Sequence, residues 1–133
     1  MKNLFLICLL VVAVALSGCG DLSPKVIISP TPQDVKTALR DTTLDFPASV
    51  RISRLETFPS LTGNEVKIEI LGGEKERAEI AAIFSESKEA VFPIQKIVSS
   101  KLNKDYPWHF KIDSAAQPDG HYLISIYGAQ YYN

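Results

Sequence analysis

Hydrophobic and polar residues alternate along two runs near the carboxyl end of the chain, 106–113 and 121–127. Large apolar or aromatic side chains occupy the even positions of both runs: Tyr106, Trp108, Phe110 and Ile112, then Tyr122, Ile124 and Ile126. Because successive side chains of a strand point to opposite faces, this parity predicts two strands that bury their even positions. The Gln-Pro-Asp-Gly sequence at 117–120 is typical of a tight turn, so the strands are predicted to form an antiparallel hairpin.

A second hairpin is predicted in the middle of the chain. Residues 65–70 alternate strictly between charged and β-branched side chains, which is typical of a half-buried strand. Residues 47–58 alternate at first and then change phase at Leu55, which predicts a strand with a bulge near Arg54. The segment between them, 59–64, is the predicted turn.

The predicted helices lie on either side of this hairpin. Thr31 is a candidate N-cap directly before Pro32, and the apolar residues that follow favour a short helix to about residue 41. Residues 74–84 are rich in helix formers and favour a helix over the alternative of a third strand. Residues 93–103 repeat apolar side chains at the helical period, which predicts a further helix.

These elements predict a small single domain of the α+β class. Its antiparallel sheet is built from two hairpins, and the helices pack on one face of that sheet. The chain has 133 residues, which suffices for one modest core. Its 14 basic and 15 acidic side chains give a net charge of −1, and no basic patch emerges. This balance argues against a nucleic-acid partner.

The amino terminus has the organisation of a secretory signal. Lys2 is followed by an uncharged apolar run from Leu4 to Leu16 and then by small residues. The apolar run is shorter than the roughly 18 residues that a stable membrane-spanning helix needs. Residues 1–18 are therefore predicted to be a cleaved signal peptide.

The end of this segment, Leu16-Ser17-Gly18-Cys19, resembles the lipobox of bacterial lipoproteins. The resemblance implies that Leu16, Ser17 and Gly18 are recognised by the signal peptidase. It also implies that the Cys19 thiol receives a diacylglyceryl group, and that Cys19 becomes the N-acylated first residue after cleavage. The alternative is an ordinary secretory peptide that contains Cys19 by chance.

The resemblance also bears on organisation and location. It implies a lipidated Cys19, and the three prolines and two serines of residues 21–32 predict a semi-extended tether, so the tether is assigned to 19–32 and the α+β domain to 33–133. The alternative for the β-branched residues Val26, Ile27 and Ile28 is a short edge strand. Cys8, the other cysteine, is discarded with the signal peptide, so the exported domain keeps no free thiol. In Gram-negative relatives of this segment an Asp directly after the cysteine favours inner-membrane retention, whereas Gly20 stands there in this chain. The expected location is thus the periplasmic side of the outer membrane, if the source is Gram-negative.

Two histidines and a carboxylate lie on the polar face of the predicted carboxyl-terminal hairpin. His109, Asp113 and His121 occupy odd positions, and an even register would place His121 opposite Asp113 or Lys111. Imidazole and carboxylate groups ligate zinc or carry out general acid–base catalysis. Their spacing matches no known metal signature, so they form only a weak candidate for a metal or catalytic site. The chain also lacks a G-x-S-x-G motif and a glycine-rich phosphate loop.

Tyrosines concentrate at the carboxyl end of the chain. Tyr127 lies on the predicted outer face, and Tyr131 and Tyr132 follow the last predicted strand. Exposed tyrosines are typical anchors for a protein partner or a glycan, because they offer a large contact area at small entropic cost. The alternative is that the tail folds back and covers the edge of the sheet.

We therefore predict a small lipid-anchored cell-envelope lipoprotein without enzymatic activity. It acts as a binding or assembly module for another envelope protein, and Tyr127, Tyr131 and Tyr132 form the contact surface. No cofactor is expected besides the covalent lipid on Cys19, which attaches the protein to the membrane. One alternative is a lipoprotein that binds peptidoglycan or another glycan through the same tyrosines. The other is a small hydrolase or metal-binding protein that uses His109, Asp113 and His121.

Overall fold

A computed structural model describes residues 23–40, 42–85, 87, 91–102 and 104–132. The strands are β1 (Lys25–Ile28), β2 (Ile52–Ser60), β3 (Gly63–Gly72), β4 (Ile94–Val98), β5 (Trp108–Ala116) and β6 (Tyr122–Tyr131). The helices are α1 (Pro32–Ala38), between β1 and β2, and α2 (Glu74–Ser85), between β3 and β4. All six strands join one antiparallel sheet in the order β1-β2-β3-β6-β5-β4.

The predicted α+β fold, a sheet of two hairpins with helices packed on one face, is wrong. A single six-stranded antiparallel sheet dominates the structure, with 45% of the described residues in strands and only 18% in two short helices. Strands β1 and β4 enlarge the sheet at its two edges. The protein is therefore more β-rich than its sequence pattern indicates.

Strand β4 replaces the helix predicted at 93–103. It pairs with β5 along its whole length, from Ile94↔Ile112 to Val98↔Trp108. Ile94 and Val98 are buried, whereas Ile97 between them is exposed. Ile94 and Val98 are four positions apart, and residues at this spacing share one face in a helix as well as in a strand. The pattern of this short apolar run therefore does not distinguish a helix from a strand. Pairing with β5 decides the conformation.

Strand β1 lies within the segment assigned to the tether and corresponds to the alternative of a short edge strand at 26–28. Its β-branched residues Val26, Ile27 and Ile28 pair antiparallel with β2, with Ile28 opposite Arg54. All four β1 residues remain exposed, as is common for an edge strand. The sheet therefore starts at Lys25, well ahead of the predicted domain boundary at residue 33.

Local signals in the sequence identify α1, α2 and the β2–β3 hairpin correctly. The Thr31 hydroxyl accepts a hydrogen bond from the Asp34 amide (3.2 Å), and the Asp34 carboxylate accepts one from the Thr31 amide (2.8 Å). This capping box starts α1 as predicted. Residues 74–85 form the predicted helix, and the register of β2 shifts between Ile52 and Arg54, which confirms the bulge. The connecting turn is shorter than predicted, because β2 extends to Ser60 and β3 begins at Gly63.

The core lies on one face of the sheet and includes apolar residues from both helices. Ile68, Ile112 and Ile126, from three adjacent strands, have no exposed surface, and Phe84 of α2 is 1% exposed. The predicted parity of β5 and β6 is confirmed at Trp108, Phe110, Ile112, Ile124 and Ile126, all of which are buried. Side chains at odd positions point away from the core, so the second face of the sheet presents the polar groups.

Gly128 on β6 makes room for an aromatic ring in the core. It is the register partner of Phe110 on β5, and a Cβ atom there would lie 2.5 Å from Phe110 Cε1 and 2.9 Å from Val66 Cγ1. No real side chain tolerates such contacts without displacement of its neighbours. Position 128 therefore needs a glycine, because the Phe110 ring occupies the space that a side chain would fill.

Candidate functional site on the open face of the sheet

The face of the sheet opposite the core, here called the open face, carries a shallow groove between β4 and β6. Its register brings Ile97 beside His109, His109 beside Ala129, and Lys111 beside Tyr127. The groove has a volume of about 570 Å³ and is lined mainly by Gln95, Ile97, His109, Lys111, Tyr127 and Tyr131. We call it the tyrosine groove.

Three large side chains of the tyrosine groove are accessible to a partner. Ile97 is 62% exposed, Tyr131 53% and Tyr127 40%. Ala129, between the two tyrosines on β6, is 4% exposed and forms the floor. Two aromatic rings and one aliphatic side chain thus surround a small depression on an otherwise polar face.

Glu65 on β3 holds the two tyrosines of the groove. It is the register partner of Ala129, so its carboxylate lies between Tyr127 and Tyr131. The Tyr131 hydroxyl donates to Glu65 Oε1 at 3.2 Å, and Tyr127 also hydrogen-bonds with this carboxylate. Partial burial of the Tyr127 hydroxyl and its hydrogen bond to Glu65 raise the pKa of Tyr127 above the usual value of 10. Both rings are therefore restrained before any partner binds.

Charges of both signs surround these rings. Lys67 and Lys111 are the register partners of Tyr127 on its two sides. Lys67 Nζ lies 3.4 Å from Glu69 Oε1, and Arg54 Nε lies 2.5 Å from Glu56 Oε1. The open face therefore has a mixed-charge rim rather than a field of one sign.

Tyr132 does not belong to this surface, although the sequence groups it with Tyr127 and Tyr131. As an even-numbered neighbour of Tyr131 it turns to the opposite face, where its ring meets Tyr106 edge-on at 5.4 Å. Its hydroxyl accepts a hydrogen bond from Asn64 Nδ2 at 2.6 Å, and its amide donates to the Thr62 carbonyl at 2.7 Å. The tail does not fold back over the sheet edge, because it continues β6 alongside β3.

Gln130 is a buried polar side chain that the sequence pattern does not single out. It is 1% exposed, and its amide donates to the Tyr106 carbonyl at 2.9 Å. Its carbonyl oxygen accepts from Asn64 and from the Tyr132 hydroxyl, both at 3.3 Å. The even-position parity of β6, extended past Ile126, would have placed Gln130 in the core. It lines a second cavity of about 520 Å³ on the helix side of the sheet.

The two histidines and Asp113 are not brought together. His109 and Asp113 are exposed on the open face, four positions apart on β5, which separates them by about 13 Å. Asp113 pairs with Ser125 rather than with His121. Among the residues that the structure describes, no three His, Cys, Asp or Glu side chains are grouped so as to hold a metal ion.

His121 instead belongs to the turn between β5 and β6. Its amide donates to Asp119 Oδ1 at 3.0 Å, and its Nδ1 lies 3.2 Å from Asp119 Oδ2. The hydrogen bond from the His121 amide lowers the pKa of Asp119 below its usual range. This arrangement is typical of a stabilised turn.

The predicted lipobox, Leu16, Ser17, Gly18 and Cys19, lies outside the described residues, as does the predicted signal peptide. Within 23–132, apart from the short gaps, no helix is both long and apolar enough to cross a membrane. No family model, no curated protein and no solved structure matches the chain. The open face and the lipobox resemblance are therefore the two features that bear on function.

Proposed function

We propose that the protein is a lipid-anchored envelope lipoprotein that binds another envelope protein through its tyrosine groove. The observation that carries this proposal is the pair Tyr127 and Tyr131, restrained by Glu65 and adjacent to exposed Ile97. Tyrosines within a polar rim are typical of the residues that dominate protein–protein binding energy. Restraint before binding reduces the entropy that is lost on association.

The charges around the groove favour a protein over a neutral glycan. Lys67 and Lys111 flank Tyr127, while Glu65 lies between the tyrosines. A protein partner offers complementary charges of both signs, which set register and specificity. A glycan such as peptidoglycan is the second candidate, because tyrosine rings beside hydrogen-bonding groups such as Gln95 and His109 also suit sugar binding.

Lipidation of Cys19 provides the membrane attachment in this proposal. Each methylene that an acyl chain buries contributes about 0.8 kcal/mol, so several chains on one residue give durable anchoring. With Gly20 after the cysteine, the expected location is the outer membrane, facing the periplasm, in a Gram-negative source. The function requires no cofactor and no catalytic group.

A photo-crosslinking experiment tests the binding proposal. A photoreactive amino acid replaces Ile97 in the full-length lipoprotein, and its cross-links are analysed in intact envelopes. The matched control places it at Val91, which is 85% exposed and does not line the groove. We expect one defined protein adduct from position 97, and we expect Tyr127→Ala combined with Tyr131→Ala to abolish it.

Other outcomes of this experiment are equally informative. Equal cross-linking from positions 97 and 91, or an adduct that survives both tyrosine substitutions, would overturn the groove as the binding site. If the adduct is released from the envelope only by a muramidase, the partner is peptidoglycan and not a protein.

The anchor has its own test. Cys19→Ala should remove the protein from the membrane fraction and abolish the mass increment of the lipidated amino-terminal peptide. A Cys19→Ala protein that stays membrane-bound would overturn lipid anchoring, whatever the cross-linking shows.

A further inference from the structure

The edge strand β1 exposes apolar side chains on both faces of the sheet. Val26 is 50% exposed, Ile27 36% and Ile28 65%. Strand β1 is bonded to β2 on one side and forms the end of the sheet on the other. Apolar edge strands of this kind are normally shielded, because their free backbone groups invite pairing with other chains. Something outside the sheet is thus expected to cover β1.

The position of β1 in the chain indicates what covers it. Lys25 is only six residues after Cys19, and six fully extended residues span at most about 20 Å. In the proposed lipoprotein, β1 therefore stays close to the membrane surface. Strand β4 at the other edge is five strand spacings away, or about 24 Å. The strand nearest the anchor is also the strand with the most exposed apolar residues.

One cation, Lys25, lies on β1 itself, and a second, Arg40, lies beside this strand. The whole segment 21–41 is balanced, with three cations, Lys25, Lys36 and Arg40, and three carboxylates, Asp21, Asp34 and Asp41. The Asp34 carboxylate is already engaged in the capping box of α1. Lys25 and Arg40 line the same cavity beside Ile27, which Asp34 and Glu65 also line. Basic side chains close to a bilayer bind acidic phospholipid headgroups.

We propose that β1 lies in the headgroup layer, with Val26 and Ile28 in the interface and Lys25 and Arg40 on anionic phospholipid. The inference rests on the proposed lipid anchor. It assigns an orientation as well as a partner: β1 faces the bilayer and β4 faces away from it. The tyrosine groove, between β4 and β6, then lies on the half of the sheet that is remote from the membrane and open to a protein partner.

Fluorescence quenching in vesicles tests this orientation. Full-length lipidated protein is reconstituted into phosphatidylcholine vesicles with and without phosphatidylglycerol, together with a headgroup-labelled nitroxide lipid. A polarity-sensitive dye is attached to Val26→Cys and, as the matched control, to Ile97→Cys. Both positions are exposed β-branched residues on edge strands. We expect quenching at position 26 to exceed that at position 97 about threefold or more, given the separation of about 24 Å.

Reversing the charges beside β1 tests whether anionic lipid binds there. Lys25→Glu combined with Arg40→Glu should remove the increase in quenching that phosphatidylglycerol produces at position 26. Equal quenching at positions 26 and 97 would overturn the inference. Disulfide-linked dimers formed through Val26→Cys would also overturn it, because a second copy would then cover β1.

Vesicle flotation separates this inference from the function on which it rests. Protein that fails to float with vesicles contradicts the lipid anchor itself. Protein that floats and shows equal quenching at both positions contradicts only the proposed orientation of β1.

Discussion

The two faces of strand β6 differ in chemistry although they come from the same ten residues. Its even positions include Ile124 and Ile126, which have no exposed surface, whereas Tyr127 and Tyr131 at odd positions are 40% and 53% exposed. The core face of β6 therefore stabilises the sheet, and its open face provides the candidate binding groove. Neighbouring residues on this strand are expected to affect different properties of the protein.

Substitution of adjacent residues gives the largest expected contrast between the two faces. Ile126→Ala removes a fully buried side chain, and we expect a loss of about 2–5 kcal/mol in unfolding free energy. Tyr127→Ala alters an exposed side chain, and we expect a loss below about 1 kcal/mol. Urea unfolding monitored by circular dichroism measures both. Similar losses in the two variants would mean that Tyr127 is structural.

Gly128→Val tests the packing of the core face with a smaller expected effect. The new side chain clashes with Phe110 and Val66, and overpacking of this kind costs about 1–3 kcal/mol. Gly73→Ala is the matched control, because a Cβ atom there meets only Glu76 Oε2 at 3.4 Å. The same urea titration should separate the two variants, and equal stability would refute the account of Gly128.

Gln130→Met examines the polar part of the core face. The substitution keeps the length of the side chain but removes its hydrogen bonds with Tyr106, Asn64 and Tyr132. We expect a loss of about 1–2 kcal/mol in unfolding free energy, since buried polar partners lose their hydrogen bonds. An unchanged denaturation midpoint would show that the amide contributes little to stability.

Titration of the open face should give the smallest effect. The pKa of Tyr127 is raised, so the folded protein keeps this proton above pH 10, where the unfolded chain loses it. The stabilisation is therefore fully present below about pH 10 and is lost as pH rises through the folded pKa. The hydrogen bond between Tyr122 and Glu74 also raises the pKa of Tyr122, so ultraviolet titration of the wild type should show two late-ionising tyrosines. The contribution of Tyr127 should be absent in Tyr127→Phe and shifted toward pH 10 in Glu65→Gln. A Glu65→Gln titration identical to that of the wild type would contradict the hydrogen bond to Tyr127.

Sequence patterns predicted the elements whose signals are local. The parity of β5 and β6, the bulge near Arg54 and the Thr31 capping box all depend on residues close together in the chain, and all are confirmed. The patterns did not predict β4, because its burial at Ile94 and Val98 fits a helix equally well. A short strand of this kind is defined by its neighbour in the sheet.

Only part of the candidate site is predictable from the sequence, because some of its residues are brought together by pairing between distant strands. Tyr127 and Tyr131 are identifiable from the sequence, because their parity and position mark them as exposed. Glu65 is not identifiable from the sequence, since the pairing of β3 with β6 joins residues that are 50 or more positions apart. The sequence groups Tyr132 with Tyr127 and Tyr131, although it lies on the other face of the sheet. The predicted strand ends at residue 127, so the sequence does not show that the alternation of faces continues to Tyr132.

The strand order also determines when the molecule completes its folding. Strand β6 pairs with β3 on one side and β5 on the other, so among the described strands it alone joins the first half of the sheet to the second. Until residues 122–131 have been synthesised, β1-β2-β3 and β4-β5 remain separate fragments with exposed apolar faces. Such fragments aggregate readily, and pairings between distant segments form slowly. A chain that stops short of β6 should therefore need a chaperone or be degraded, even though most of its strands are present.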